Sequence, residues 1–208
     1  MAATVLLLAA CGSEDIARSQ PSEDEATAEP GNGYVGAVEG TDAFVAIAVG
    51  ASNVVVYVCD GDGGVAEYFW GSADDMPAIA IDGAGGASVR AELVDGAFAG
   101  TLTLSSGAEH EFTTEPAVGD AGMYFIAGQQ AVAAGVSGGW IIDNDGDERG
   151  ALIRNGSLLS TRSFDSGGLV LNGERFAVVR QSSPTKPPIA PPVPIPLPNC
   201  GSGPKCRD

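Results

Sequence analysis

From Tyr34 onward, apolar and β-branched residues alternate with polar ones in short runs, and Gly, Asp and Asn separate these runs. Side chains of a strand point alternately to its two faces, so an alternation of period two indicates a strand with one buried face. The turn residues recur about every eight to twelve residues, a spacing typical of all-β sandwiches and barrels. The pattern therefore predicts a mainly all-β fold, an antiparallel β-barrel or β-sandwich of about ten short strands.

Each strand is predicted where such a run lies between two turn signals. In chain order, the predicted strands are Ala43–Val49, Val54–Cys59, Ala66–Trp70, Ser88–Val94, Phe98–Leu104, Glu109–Thr113, Met123–Ala127, Gly139–Ile142, Gly150–Ile153, Leu169–Leu171 and Phe176–Val179. A short helix is predicted around Gln129–Ala134.

Asp95-Gly96 lies between two alternating runs and is a strong hairpin signal. Asp-Gly favours a two-residue turn because both turn positions need a positive φ. On its flanks, Val89 and Phe98 are predicted on a buried face and Arg90 on a solvated one. This hairpin is expected to have one dry and one wet face, as antiparallel sheets commonly do.

Two uncharged stretches, Ala43–Cys59 and Ala121–Ile142, have to be tested as membrane spans. The second is long enough to cross a bilayer, which takes about 20 apolar residues. However, it contains several glycines as well as Gln129 and Gln130, and it is only moderately apolar. We therefore interpret both stretches as buried strands, the second with a Gly-rich loop.

Two segments of the chain, Tyr57–Ser72 and Trp140–Ser157, have similar sequences. Each has an aromatic residue, two apolar residues, an acidic turn with glycine, a second strand and a Gly-Ser pair. One interpretation is a domain of two similar β-meanders that close into a barrel or sandwich and leave few exposed edges. Chance similarity between two hairpins is the alternative.

The charge is strongly acidic, with 27 acidic against 10 basic residues and a net charge of −17. Affinity for nucleic acid requires clustered Lys and Arg, and the only two lysines, Lys186 and Lys205, lie near the C-terminus. A nucleic-acid partner is therefore not expected. The acidity favours solubility, with cation binding as the alternative.

Leu8-Ala9-Ala10-Cys11 follows a short apolar run and resembles the lipobox of bacterial lipoproteins. The resemblance implies that residues 1–10 are a signal peptide and that Cys11, as first residue of the mature protein, carries a lipid. It also implies a cell-membrane location facing outside the cytoplasm, with the membrane as partner through the anchor. The sequence departs from the family pattern because Met1–Thr4 contains no Lys or Arg, which a start codon placed too late would explain.

A second resemblance concerns the body of the chain. Ala121-Gly122-Met123-Tyr124, the Gly-Gly-Trp-Ile-Ile segment ending at Ile142, and Gly100–Leu104 followed by His110-Glu111-Phe112 are similar to parts of uncharacterised exported β-domains of bacteria. The resemblance covers about residues 34–180 and implies a fold and a location, but no activity.

The lipobox resemblance, which implies the first two regions, and the composition of the rest divide the chain into four regions. Residues 1–10 are the predicted signal peptide, and residues 11–33 are a lipid anchor with an acidic linker that is too polar to bury a core and is expected to be disordered. Residues 34–183 are the β-rich domain. Residues 184–208 hold most of the 13 prolines and are expected to be an extended spacer or a ligand for an aromatic groove.

The cysteines have different expected roles. Outside the cytoplasm, Cys200 and Cys206 are close enough in the tail to form a disulfide. Cys59 lies in a predicted strand and is expected to be a buried, inert thiol.

Two acidic turns are the candidates for metal binding. Asp143, Asp145 and Asp147 alternate in one turn, and Asp60 and Asp62 alternate in the other. Calcium takes six to eight oxygen ligands, several of which alternating carboxylates on a tight turn can supply. The first turn does not match an EF-hand, and hairpins use Asp and Gly in any case for their turn geometry. Calcium is thus a possible cofactor, and hairpin formation is the favoured interpretation.

The single histidine, His110, is predicted to share a face with Phe112 as a half-buried structural residue. Three functions remain. The first is a lipid-anchored, non-enzymatic binding or envelope-structural domain with a protein or cell-wall partner. The second is a module that binds calcium or a small ligand, and the third, remote, is a hydrolase that uses His110. A pocket lined by Trp70, Trp140 and acidic residues would favour the second, and acidic turns that point to solvent would favour the first.

Overall fold

The structure is a computed structural model that describes residues 33–61, 64–155, 157–158, 163–165 and 168–181. It contains, in order, β1 (Gly33–Val38), β2 (Phe44–Val49), β3 (Asn53–Cys59), β4 (Ala66–Ser72), β5 (Ala78–Asp82), β6 (Ser88–Val94), β7 (Ala97–Thr103), β8 (Glu109–Pro116), β9 (Gly122–Ala127), α1 (Gln129–Ala133), β10 (Val136–Ile142), β11 (Glu148–Arg154), β12 (Ser157–Leu158), β13 (Leu169–Leu171) and β14 (Glu174–Arg180). A single turn of 3₁₀ helix spans Ala84–Gly86, between β5 and β6.

The first eight strands form one antiparallel sheet in the order β4-β3-β2-β1-β8-β7-β6-β5. The sheet curls into a nearly closed barrel, so its two edge strands, β4 and β5, come to lie beside each other without a hydrogen-bonded ladder. Side chains close this seam. The Ile81 side chain lies against Gly71, where an added Cβ would be 2.6 Å from Ile81 Cγ1, and the Phe69 ring lies against Gly83 in the same way at 2.8 Å.

The remaining strands form a second, curled sheet in the order β12-β11-β10-β9-β14-β13. Both sheets follow one rule: a four-stranded meander comes first, and the last strand of the sheet returns to pair with the first strand. This agrees with a domain of two similar meanders. The two hairpins of similar sequence occupy different places, however, since β3 is the third strand of its sheet and β10 the second.

The core has three parts. The barrel interior contains residues such as Val56 and Phe98. A second cluster fills the space between the barrel wall and the second sheet, and a third lies inside the second sheet around Trp140. Strands β2 and β3 are buried on both faces, because one face lines the barrel interior and the other packs against the second sheet.

Most of the strand predictions are confirmed. The Asp95-Gly96 hairpin has positive φ at both residues (52° and 85°), Val89 and Phe98 are buried, and Arg90 is exposed. The helix predicted at Gln129–Ala134 is α1. The sequence pattern missed β1, β5 and β12, because β1 contains two glycines, β5 alternates alanines with larger residues, and β12 has only two residues.

Neither uncharged stretch spans a membrane as a helix: no helix in the described ranges is long and apolar enough to do so.

The second sheet depends on close contact between Trp140 and glycine. The fully buried indole lies across the β10–β11 ladder from Gly150, where an added Cβ would be 1.9 Å from Trp140 Cδ1. We expect Gly150→Ala to lower the free energy of unfolding by about 1–3 kcal/mol, because the Trp140 indole and strand β11 would have to move apart. The measurement is urea unfolding followed by tryptophan fluorescence.

Gly33→Ala is the matched control, since its Cβ would be 3.8 Å from the nearest atom, Ala117 Cβ. Equal unfolding midpoints for the two variants would contradict the role assigned to this contact.

Candidate functional site

The first acidic turn is held together by Asp60. The Asp60 main-chain N–H donates to Val65 O (3.1 Å), and the Val65 N–H donates to Asp60 Oδ2 (2.9 Å). The carboxylate thus closes the hairpin between β3 and β4 by accepting a hydrogen bond across its own turn. Asp62 lies outside the described residues.

The second acidic turn uses the same arrangement. Asp143 N–H donates to Asp147 O (3.0 Å), and Asp143 Oδ1 accepts from the main-chain N–H groups of Asp145 (3.0 Å) and Asp147 (2.8 Å). Gly146 supplies the positive φ (87°) that the turn requires. In both hairpins the first aspartate of the turn is a turn-forming residue, as the hairpin interpretation expects.

Arg149 connects the second hairpin to the first. Its stem lies against Gly61, where an added Cβ would be 2.9 Å from Arg149 Cδ. Its Nε donates to Asp42 O (3.2 Å), and its guanidinium lies 4.6 Å from the centre of the Phe44 ring. The two acidic hairpins therefore lie close to each other, with one arginine at their contact.

Asn144 joins the second turn to the connection between the sheets. The Val118 N–H donates to Asn144 Oδ1 (3.0 Å), and Asn144 Nδ2 donates to Pro116 O (3.1 Å). The middle of the acidic turn is thereby fixed to the segment that leads from β8 to β9, and its side chain contributes to the fold.

Calcium binding at these turns stays a prediction, but the geometry limits the number of carboxylates that are free of hydrogen bonds within the turns. Asp145 and Asp147 are exposed, whereas the carboxylates of Asp60 and Asp143 already accept main-chain hydrogen bonds. Within the described ranges, no three His, Cys, Asp or Glu side chains come together as metal ligands.

The two tryptophans do not line one pocket. Trp140 is fully buried inside the second sheet, and Trp70 packs at the edge of the cluster between the sheets. The arrangement that would favour a small-ligand site between them is therefore not the one observed.

His110 and Ser137 are the residues relevant to a hydrolase. His110 is half-buried, as predicted, and its Nδ1 lies 3.2 Å from Glu39 O. An interpretation of the sequence as lacking the Gly-x-Ser-x-Gly motif of hydrolases is wrong, because Gly135–Gly139 fits that pattern. A hydrolase nucleophile of this type lies at a sharp turn between a strand and a helix, whereas Ser137 lies within β10 and pairs with Ile153.

Tyr57 and Cys59 are buried polar groups on the outer face of the barrel wall. The Tyr57 hydroxyl donates to Gly139 O of the second sheet (3.2 Å), and both side chains are fully buried. Burial raises the pKa of Tyr57 well above its usual value and that of Cys59 to about 11. The predicted burial of Cys59 is confirmed, and its raised pKa disfavours the thiolate, which is the reactive species.

Glu67 was missed by the sequence reasoning. It lies in β4 on the same side as Phe69, so it points toward the barrel interior, and it is only 8% exposed. Its Oε1 accepts from the Ser105 N–H (2.8 Å) and hydroxyl (2.7 Å), which ties β4 to the turn between β7 and β8. A signal was present, because Glu67 stands at an apolar position of an alternating strand.

Cys11, Cys200 and Cys206 lie outside the described residues, so the predicted lipid attachment and disulfide remain predictions. No family model, curated protein or solved structure matches this chain.

The role of Asp143 can be tested by separating its charge from its hydrogen bonds. Asp143→Asn keeps Oδ1 as an acceptor for both N–H groups, whereas Asp143→Ala removes it. We expect Asp143→Ala to lower the free energy of unfolding by about 1 kcal/mol and Asp143→Asn to change it by less than about 0.5 kcal/mol. Chemical denaturation measures both, and equal losses would show that the negative charge, not the acceptor, matters.

The buried thiol predicts a pH dependence. The folded pKa of about 11 lies above the unfolded value of 9.0, so its stabilising effect is complete below pH 9 and disappears as the pH rises through 11. The two-unit difference corresponds to about 2–3 kcal/mol. Unfolding measured between pH 8 and 11 should therefore show a larger loss in the parent than in Cys59→Ala, in which the tyrosines still titrate. Parallel curves for the two proteins would count against this assignment.

Proposed function

We propose that this chain is a lipid-anchored bacterial protein whose β-domain works outside the cytoplasm as a non-enzymatic binding or envelope-structural module. The observation that carries the proposal is the lipobox-like Leu8-Ala9-Ala10-Cys11, followed by the acidic, polar linker to residue 33. A thiol that carries a diacylglycerol holds two acyl chains, and two chains are sufficient for stable attachment to a membrane.

The domain has features that suit this role. The net charge of −17 on the whole chain favours solubility and disfavours nucleic acid and anionic lipid surfaces, so the lipid, not the domain, would hold the protein at the membrane. The linker would let the domain stand off from the bilayer, by a root-mean-square distance of roughly 25 Å. The partner in this proposal is a protein or a cell-wall component.

The polar groups of the described domain support a non-enzymatic role. Asp60 and Asp143 accept hydrogen bonds within their own turns, Asn144 fixes a connection, and the ring nitrogen of His110 lies beside a main-chain carbonyl. A catalytic site needs a nucleophile, a base and an orienting group in mutual contact. The side chains named here instead make contacts that shape loops.

Lipid attachment can be measured on the protein from the cells that encode it. Mass spectrometry of its N-terminal peptide from the membrane fraction should identify Cys11 as the first residue, with a diacylglyceryl group on its sulfur. Cys11→Ala should move the protein out of the membrane fraction, whereas Cys59→Ala should leave it there. An N-terminal peptide that still contains Leu8, or an unmodified Cys11 thiol, would refute the anchor.

A further inference from the structure

Glu67 is the one charged side chain that is buried among the residues the structure describes. Ser105 satisfies its Oε1 through two hydrogen bonds of 2.8 and 2.7 Å. Its Oε2 is also enclosed, and it has no hydrogen-bond partner in the described part of the chain. The two ion pairs there join Arg90 with Asp82 and Arg175 with Asp165, so neither arginine neutralises Glu67.

This arrangement is costly for a carboxylate. Moving an ionised group out of water carries a large penalty unless it is paired with an opposite charge or coordinates a metal ion. Nearly all buried polar atoms in proteins have a partner, and an orphan atom points to an unseen water, ion or functional role. Oε1 is satisfied by protein groups, so the missing partner belongs to Oε2.

Three segments of the chain lie near the Glu67 carboxylate. It lies at one end of the seam between β4 and β5, where the two edge strands face each other without a ladder. The turn between β7 and β8 contributes Ser105, and Gly85 of the 3₁₀ turn is next to it, since an added Cβ would be 3.3 Å from Ser105 Cβ. Three chain segments, two of them turns, therefore meet near one carboxylate.

We propose that this end of the seam is a binding site for a hard divalent cation of the calcium type, with Glu67 as its anionic ligand. Calcium accepts irregular sets of carboxylate, main-chain carbonyl and water oxygens, whereas zinc prefers His and Cys ligands, and magnesium demands a regular octahedron and retains its water. The cation supplies the opposite charge that Oε2 lacks. It also links β4 to the turns around Ser105 and Gly85 at one end of the seam.

This site is distinct from the two acidic turns. Asp60 and Asp143 use carboxylate oxygens to close their hairpins, whereas Glu67 has an oxygen that closes nothing. A site with a single carboxylate is expected to be weak, in the range of about 10⁻⁴–10⁻³ M found in extracellular modules. The site lies in the folded domain and is independent of the lipid anchor.

The test is thermal unfolding of the full-length protein in calcium, in magnesium, and in sodium chloride at matched ionic strength. Glu67→Gln is the decisive variant because it keeps the Oε1 acceptor for Ser105 and removes the charge. The double variant Asp143→Asn with Asp145→Asn is the matched control in the exposed turn. A tenfold excess of calcium over its dissociation constant should raise the Tm of the parent by about 3–6 °C.

The expected result is a calcium-dependent rise that the turn variant retains and Glu67→Gln loses. Equal rises in all proteins would reflect screening of the acidic surface and would overturn the site, as would loss of the rise in the turn variant alone.

Terbium provides a readout that does not depend on stability. It occupies calcium sites and emits when a nearby aromatic ring is excited, and the Phe69 ring lies on the same face of β4 as Glu67, whereas Tyr68 lies on the other face. The parent should show sensitised emission that calcium displaces, and Glu67→Gln should not. Emission that is unchanged in Glu67→Gln would refute the assignment.

Discussion

Burial of β2 and β3 on both faces is the constraint on which the rest of the structure depends. One face of each strand lines the barrel, and the other would expose Ala46, Val55 and Tyr57 if the second sheet were not packed against it. The second sheet is therefore required by the first. The contact has a polar fixed point, since the Tyr57 hydroxyl donates to Gly139 O and a mispositioned sheet would leave that buried hydroxyl without a partner.

Glycines of the second sheet make room for the aromatic rings at this contact. The Tyr57 and Phe125 rings occupy the space on one side of Gly139, where an added Cβ would be 2.7 Å from Tyr57 Cζ. On the other side of the strand, Trp140 covers Gly150. Successive residues of β10 thus serve two different cores, which explains why the segment reads as an uncharged, Gly-rich run instead of a clean alternation. A run of this kind has the composition of a weak membrane-spanning helix, but it forms β9, α1 and β10.

The alternation of side chains was sufficient to predict most of the strands, the Asp95-Gly96 hairpin and the all-β class, because period two and turn residues are local properties. It could not show that the strands divide into two sheets after β8, or that β14 returns to β9. These pairings join residues far apart in the chain, and their selection depends on which faces can be buried together. Strand β1 was not predicted, because its two glycines interrupt the alternation of apolar and polar residues. It nevertheless lies at the centre of the barrel sheet, between β2 and β8.

The candidate sites show the same division between local and non-local information. Alternating aspartates are easy to recognise in a sequence. Whether they can bind a cation depends on whether their carboxylates already accept hydrogen bonds from the protein. Asp143 accepts two, from main-chain N–H groups within four residues of itself. Glu67 is a single acid in an apolar strand, and its partner Ser105 is 38 positions away. The charge of a turn can therefore be read from the sequence, whereas the burial and the hydrogen-bond partners of a single carboxylate depend on the fold. Glu67 has one buried carboxylate oxygen without a hydrogen-bond partner in the described part of the chain, whereas Asp60 and Asp143 use their carboxylates within their own turns.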